Sequence, residues 1–399
     1  MKRVLKAALA ASLLLPLFGC GQIQINELAI VTAVGIDPGE KEGCVRMAVQ
    51  IVRAADARGQ TGAPSGGTGE PIYSISAEGE TIFEAIRNLA RFSSRRVYWA
   101  HNFVIVLNEK YARKGIGDMI DFFTRNPELR MNTWVVVTPD AASEVISTVT
   151  GLEVVPGEAI DKLFRYNEIV GEAPSTNMMR LFEAYMSKTS QPVLAKLQLK
   201  KRGISNKKPM EFGSVNQVEL SGAAVFKGDK MVGWLTSEET RGLLLLLQKI
   251  DSSVEALPCP GHENSLVTLE LKKQRVQVTP TFENGRPGFS IKVDATASIV
   301  EAGKLESLEE VTDELQKSLE EQIRKQLQAV TEKAQHKYRS DFLKFGEVFN
   351  NKYPLEWRSF SDNWDEAFTE AEIVYHVKAR IDSSVLKLKG NLNMKGGKP

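Results

Sequence analysis

A short cationic and apolar leader that ends in a cysteine sets the conditions under which the rest of this chain folds. Lys2, Arg3 and Lys6 open it, and Ala7 to Phe18 is apolar apart from Ser12 and Pro16. A helix needs about 20 apolar residues to cross about 30 Å of hydrocarbon. This run is shorter, so it reads as an export signal. Leu17-Phe18-Gly19-Cys20 puts a small residue directly before a cysteine and a leucine three positions upstream, the pattern of a bacterial lipobox. The expectation is that diacylglycerol alkylates the Cys20 thiol and that residues 1–19 are removed. Phe18 is bulkier than the small residue usual at its place, and an ordinary cleaved signal or an uncleaved anchor stay open as alternatives. Each buried methylene contributes about 0.8 kcal/mol, and two acyl chains hold where one is marginal. Everything from Cys20 onward is therefore expected to be a water-soluble body tethered to the outer face of a membrane. No later stretch competes, because Leu243 to Leu247 is a short leucine run closed by Gln248-Lys249.

Composition limits what that body can do. In a chain of 399 residues, 42% hydrophobic and 25% charged content with a net charge of +1 describe a globular protein with a real core and no support for a nucleic-acid partner. With Cys20 used, Cys44 and Cys259 remain; they could pair, but two cysteines make no disulfide framework. His101, His262, His336 and His376 are scattered singly, which argues against a metal site and implies no cofactor.

Periodicity then divides the chain into three expected units, 20–150, 151–213 and 214–399, in an α+β fold of mixed sheets with packed helices. In the first, strands at 27–34 and 44–52 flank an Asp37-Pro38-Gly39 turn and form a hairpin. Residues 54–70 are Gly-rich and read as a loop; Gly62 and Gly67 have phosphate-loop spacing, but Thr68 stands where lysine is required. A strand at 72–77 leads to a helix with a Thr81/Glu84 capping box. Strands at 103–107 and 134–137 alternate with a helix over 109–124 and another capped by Asp140. In the second unit, helices at 159–170 and 177–187 precede a strand at 193–199. Lys200, Lys201, Arg202, Lys207 and Lys208 then crowd a stretch that is either a solvated loop or a set of cations near anionic headgroups. The third unit has a hairpin over 215–235 and a helix behind a Thr236/Glu239 capping box. Pro258 and Pro260 close that stretch. Two long strands follow, joined at Asn284-Gly285, the strongest short hairpin signal. In the long helix 308–338, Leu308, Val311, Leu315, Leu319, Ile323, Leu327, Val330 and Ala334 form one stripe. That stripe fits a helix lying across its own sheet, with a coiled-coil dimer as the alternative. A last strand runs from 373 to 381.

No catalytic constellation emerges. There is no nucleophile elbow, no His-Glu-x-x-His and no dinucleotide fingerprint, and the carboxylates are dispersed as on a solvated surface. The stretch most like a functional surface is Arg91, Arg95 and Arg96 with Tyr98, Trp99 and His101, followed by Arg125-Asn126-Pro127-Glu128-Leu129-Arg130. Arginine and aromatic side chains concentrate at protein interfaces. The candidate partner interface is therefore Arg95, Arg96, Trp99, Arg125, Glu128 and Arg130; internal pairing of Glu128 with these arginines is the equally weighted alternative.

Several stretches in order carry a family resemblance. They are the lipobox, Ala33-Val34-Gly35-Ile36-Asp37, Arg91 to His101, Ala112-Arg113-Lys114-Gly115-Ile116, Arg125-x-x-Glu128-x-Arg130, Gly222-Ala223-Ala224-Val225-Phe226, Lys230-Met231-Val232-Gly233-Trp234-Leu235, Asp341-Phe342, and Trp357 with Trp364. Over nearly its whole length the chain resembles the spore germinant receptor C-subunit lipoproteins, the Ger(x)C family. The resemblance implies three mixed α/β domains in an extended arc. It also implies a non-enzymatic subunit on the outer face of the inner spore membrane of an endospore former. There it would assemble with two polytopic membrane subunits into a receptor for amino acid, sugar or nucleoside germinants; direct contact with the germinant is left open. Phe18 and the Gly-rich insertion near residue 60 depart from the pattern. The competing reading is a lipid-anchored solute-binding protein serving a transporter, against which the hairpins and long helix of the second half argue. A cell-wall hydrolase lacks an acid-base or metal set.

Overall fold

Strand β1 (Leu28–Pro38) is the spine of a nine-stranded sheet. Its run of Ala, Ile and Val is almost continuously buried because it has neighbours on both edges and layers on both faces. The computed structural model describes residues 27–52, 72–148, 153, 155–204, 214–247, 250, 252–305 and 312–382. Cys20, the Gly-rich stretch, Lys207, Lys208, Leu308 and Val311 lie outside the described residues.

On one edge β1 pairs antiparallel with β2 (Val45–Val52), which pairs with β3 (Ile72–Gly79). On the other it runs parallel to β5 (Val104–Asn108), then β6 (Trp134–Thr138) and β7 (Val193–Ile204), before the antiparallel β8 (Ser214–Lys227) and β9 (Lys230–Leu235). The short β4 (Arg96–Tyr98) pairs with the first residues of β1. The strands flanking positions 150 and 213 thus share one sheet, although those positions are the expected unit boundaries. The reason is long-range: β6 and β7 are joined in register at Val136–Ala195, a pairing that local periodicity does not encode.

Alternation along the central strands feeds two cores. Ile105 and Leu107 point to the layer of α1 (Ile82–Leu89), α2 (Glu109–Lys114), α3 (Gly117–Arg125) and α6 (Met178–Met186). Val104 and Val106 point to the layer of α4 (Ala142–Ser147) and α5 (Pro156–Val170). The expected helix over 109–124 is two helices. Gly115 turns at φ +136°, and the Ile116 amide donates to the Asp229 carbonyl of the β8–β9 turn at 2.9 Å. Asp140 does not cap α4. Asp37 does so from a strand more than a hundred residues earlier, accepting from the Ala142 and Ser143 amides at 2.7 and 2.9 Å, while Asp140 accepts from the Leu199 amide at 2.7 Å. Gly35 leaves room for that approach, since a Cβ there would sit 2.9 Å from the Ala142 carbonyl carbon. The Thr81/Glu84 box is half formed: Thr81 Oγ1 accepts from the Glu84 amide, but the Glu84 carboxylate accepts from the Glu80 amide. Lys200, Lys201 and Arg202 continue β7 rather than forming a loop: β8 pairs with Lys200 and Lys201, and Arg202 falls at an irregularity in the ladder.

The second sheet contains β10 (Ser253–Cys259), β11 (His262–Glu283), β12 (Arg286–Glu301) and β13 (Glu372–Asp382), the last parallel to β12. β10 is a strand missed by the sequence reading: its side chains alternate between buried and exposed, and its one proline, Pro258, sits near the end of an edge strand, where a missing donor costs little. Asn284 and Gly285 both have positive φ and close the β11–β12 hairpin. The long helix α8 (Thr312–Glu332) continues as a π turn to Lys337 and buries Leu315, Leu319, Ile323, Leu327, Val330 and Ala334 against its own sheet and against α7 (Ser237–Leu246). Its Glu320 and Gln316 accept from the Ala379 and Ile381 amides, so the helix covers the free edge of β13. α9 (Phe345–Lys352), α10 (Pro354–Phe360) and α11 (Trp364–Thr369) add an aromatic cluster of Phe289, Phe345, Phe349, Trp357, Trp364 and Phe368. Cys44 and Cys259 are both free thiols.

Hydrogen bonds join the two sheets through the turn after α8. Ser340 Oγ donates to the Phe226 carbonyl at 2.6 Å, Tyr338 Oη to the Trp234 carbonyl at 2.8 Å, and the Gln191 amide to the Asp341 carbonyl at 3.0 Å. Arg241 on α7 adds an ion pair to Glu172 at 2.9 Å and a longer one to the buried Glu255 at 3.5 Å.

Candidate docking groove on the first sheet

Helices α1 and α3 lie side by side on the first sheet, and strand β4 passes their ends. Between them opens a cavity of about 560 Å³. α1 buries Ile82, Ala85 and Leu89. That periodicity turns Phe83 and Arg87, four residues apart, to the outer face. Phe83 is 53% exposed, its ring 6.4 Å from that of Phe122, and the Arg87 guanidinium lies over it at 4.9 Å. From α3, Phe122 packs edge-on to the buried Phe123 at 5.3 Å.

The structure brings five of the six residues singled out by sequence to this cavity and leaves the sixth outside. Arg95, Arg96, Trp99, Arg125 and Glu128 line it, and Arg130 does not. Arg96 pairs with Glu128 at 3.0 Å and Arg125 with Asp121 at 2.6 Å. The internal pairing held open for Glu128 is therefore present, with Arg96 as its partner. Trp99, 5% exposed, belongs mainly to the core and offers the groove only an edge. Arg95 is exposed, and its backbone carbonyl accepts from Ser93 Oγ at 2.6 Å. Four guanidinium groups, on Arg87, Arg95, Arg96 and Arg125, face two carboxylates, on Asp121 and Glu128, so the groove carries an excess of positive charge around an exposed aromatic ring. Sequence reasoning missed Phe83, Arg87 and Phe122. The available signal was an aromatic residue on the polar face of an amphipathic helix.

A second cavity, of about 530 Å³, lies where the two sheets meet and is lined by Lys188, Lys227, Arg339, Asp341, Asp362 and Asp365. It is crossed by the Lys227–Asp365 ion pair at 2.8 Å. At its base the Asp341 carboxylate accepts from the Phe345 and Gly346 amides and from Trp364 Nε1 at 3.1, 2.6 and 2.8 Å. Burial still outweighs these bonds and raises the Asp341 carboxyl to about 6. Its role in this geometry is to tie the 341–346 turn to α11. Among the described residues no group of three or more His, Cys, Asp or Glu is placed to hold a metal ion, and no helix is long and apolar enough to cross a membrane.

Comparison with known proteins places these features in context. Residues 21–199 match the spore germination protein N-terminal domain, and residues 221–385 match the spore germination B3/GerAC-like C-terminal domain. Spore germination protein KC of Bacillus subtilis (strain 168) is 28% identical over 392 residues, covering 95% of each chain. Spore germination protein B3 of the same organism is 23% identical, covering 96% of this chain and 98% of its own. The crystal structure of the GerBC protein superposes with a TM-score of 0.57 at 20% identity, covering 88% of this chain and 98% of that one, which establishes a shared fold.

Proposed function

This chain belongs to the spore germination B3/GerAC-like family, and on that premise we propose that it is a non-enzymatic, lipid-anchored subunit of a nutrient germinant receptor. Cys20 carries the lipid, the body sits on the outer face of the inner spore membrane, and the partners are two polytopic membrane subunits. Tethering confines the body to the surface where those partners lie and so raises its effective concentration for them.

The observation that supports an assembly role is the groove between α1 and α3. An exposed Phe83 ring flanked by Arg87, Arg95 and Arg125 has the composition of an interface centre, where aromatic and arginine side chains carry most of the binding energy. Its test is crosslinking in dormant spores, followed by solubilisation and identification of what co-purifies. The parent chain is expected to bring down two polytopic proteins. Cys20→Ala and the triple reversal Arg95→Glu/Arg96→Glu/Arg125→Glu are each expected to reduce them, and Arg130→Glu, outside the groove, to leave them unchanged. Recovery of the chain alone, or with an ATP-driven permease, would remove the reading.

A further inference from the structure

We propose that the solvent face of the second sheet is a docking surface for an anionic lipid bilayer. The argument starts from register. Across β11, β12 and β13, three successive rows read Lys273–Thr296–Arg380, Arg275–Asp294–Lys378 and Gln277–Lys292–His376. Their neighbours along each strand, Val276, Val293, Ala295, Val377 and Ala379, are buried, so the rows stand together on the opposite, open face. An irregularity between Leu271 and Lys273 inserts Lys272 beside Lys273, and both are exposed.

The result is a block holding Lys272, Lys273, Arg275, Lys292, Lys378 and Arg380, all exposed, around Asp294, with Glu270 and Asp382 in the row that borders it. Asp294 stands opposite both Arg275 and Lys378 in its row, while the row of Lys273 and Arg380 holds only Thr296 between them. The internal relief is small: Lys292 reaches Asp294 at 3.7 Å, and Lys272 reaches Glu270, at the border of the block, also at 3.7 Å. Among the described residues, Lys273, Arg275, Lys378 and Arg380 have no ion-pair partner. The whole chain has a net charge of +1, so this concentration is local and not a by-product of a basic protein.

Shape and composition select the partner. A three-stranded face is broad and shallow, with cations about 5 Å apart across strands and about 7 Å apart along them. The basin it frames, about 610 Å³, is lined mostly by lysine, arginine, aspartate, threonine and glutamine, with Ile250 and Ala295 and no aromatic residue. An interface with a folded protein calls for a buried aromatic or aliphatic anchor, and single-stranded nucleic acid calls for rings on which bases stack. The block has no ring, and Ile250 is half-buried against the core rather than held out as an anchor. A fluid array of phosphates needs only charge, each lysine or arginine near such a surface strengthening binding roughly fivefold. The surface is separate from the α1–α3 groove and does not depend on the receptor reading.

The experiment is vesicle flotation with the full chain carrying Cys20→Ala, so that no acyl chain contributes and the leader is common to every variant. Phosphatidylcholine vesicles with and without phosphatidylglycerol are the probes. Binding is expected to require phosphatidylglycerol and to weaken sharply in molar salt, where the screening length falls to about 3 Å. The triple variant Arg275→Ser/Lys378→Ser/Arg380→Ser is expected to bind roughly a hundredfold more weakly. The charge-preserving triple Arg275→Lys/Lys378→Arg/Arg380→Lys is expected to bind like the parent, which separates loss of charge from loss of fold. Equal binding to both vesicle types, a folded serine triple that binds like the parent, or tighter binding to duplex DNA than to phosphatidylglycerol at the same salt would each overturn the proposal. No partner protein is present, so failure here leaves the groove untouched.

Discussion

Gly242 sits where α7 crosses α8, and replacing it with alanine should destabilise the protein although the same change in an exposed helix would stabilise it. In isolation, Gly→Ala in a helix interior gains about 1 kcal/mol. Here the new Cβ would press on the Gln326 carbonyl oxygen and lie 2.8 Å from its carbonyl carbon and 3.1 Å from Val330 Cγ1. Backbone atoms cannot rotate away, so the helices must separate. Overpacking of this kind costs about 1–3 kcal/mol, and a gap of about 0.5–1 Å forfeits a quarter to a half of each contact across it. The displaced residue also matters, because Gln326 Nε2 donates to the buried Glu255 carboxylate at 2.9 Å beside Arg241. Weakening that bond exposes a buried anion to desolvation. Setting the helix gain against these terms leaves a net loss of about 1–2 kcal/mol. Urea unfolding followed by tryptophan fluorescence reports on it, since Trp357 and Trp364 are buried in the same core. Gly117→Ala is the control: its Cβ would meet only Asp229 and the Tyr185 hydroxyl, at ordinary contact distances of 3.4 and 3.5 Å, and it should be neutral or mildly stabilising. If Gly242→Ala matched Gly117→Ala, the close helix crossing would not be a constraint and the reasoning would fail.

Other consequences follow from buried groups and topology. Burial raises the Asp341 carboxyl to about 6, against about 3.9 in the unfolded chain, so its contribution is full below about pH 4 and is lost as pH rises through 6. The stability difference between the parent and Asp341→Asn should therefore shrink by about 2 kcal/mol from pH 4 to pH 7 in urea unfolding; a constant difference would show that the carboxyl does not titrate in that range. Asp37→Ala leaves the first amides of α4 without their acceptor and should cost about 1–2 kcal/mol, with accelerated amide exchange at Ala142 and Ser143; unchanged exchange would refute the capping role. Limited proteolysis should separate the second sheet, from β10 onward, before it separates 151–213 from the strands on either side, because β7 is paired to β6 and β8; early release of 151–213 would restore the three-unit division.

Local chemistry made much of the architecture legible. Asn284-Gly285 closes its hairpin, Thr236 and Glu239 form their capping box with both bonds present, and the α8 stripe from Leu315 to Ala334 is buried as its spacing requires. These features depend on neighbours within one turn or one helical repeat. The partner-groove residues were half legible: Arg95, Arg96, Trp99, Arg125 and Glu128 do converge, but Phe83 and Arg87 come from a helix whose proximity to α3 no local pattern states.

By itself, then, the sequence determined the family, the α+β class, most strand and helix positions and which faces are apolar, because each follows from composition, motif order or short-range periodicity. Tertiary structure alone decided three things. It gave the cap of α4 to Asp37 rather than Asp140, it split residues 109–125 at Gly115 against the β8–β9 turn, and it aligned Arg275, Lys378 and Arg380 on one open sheet face. Each depends on register between segments far apart in the chain. A shift of one residue in a strand would have turned those side chains to the other face with no change in the sequence that local reasoning can see.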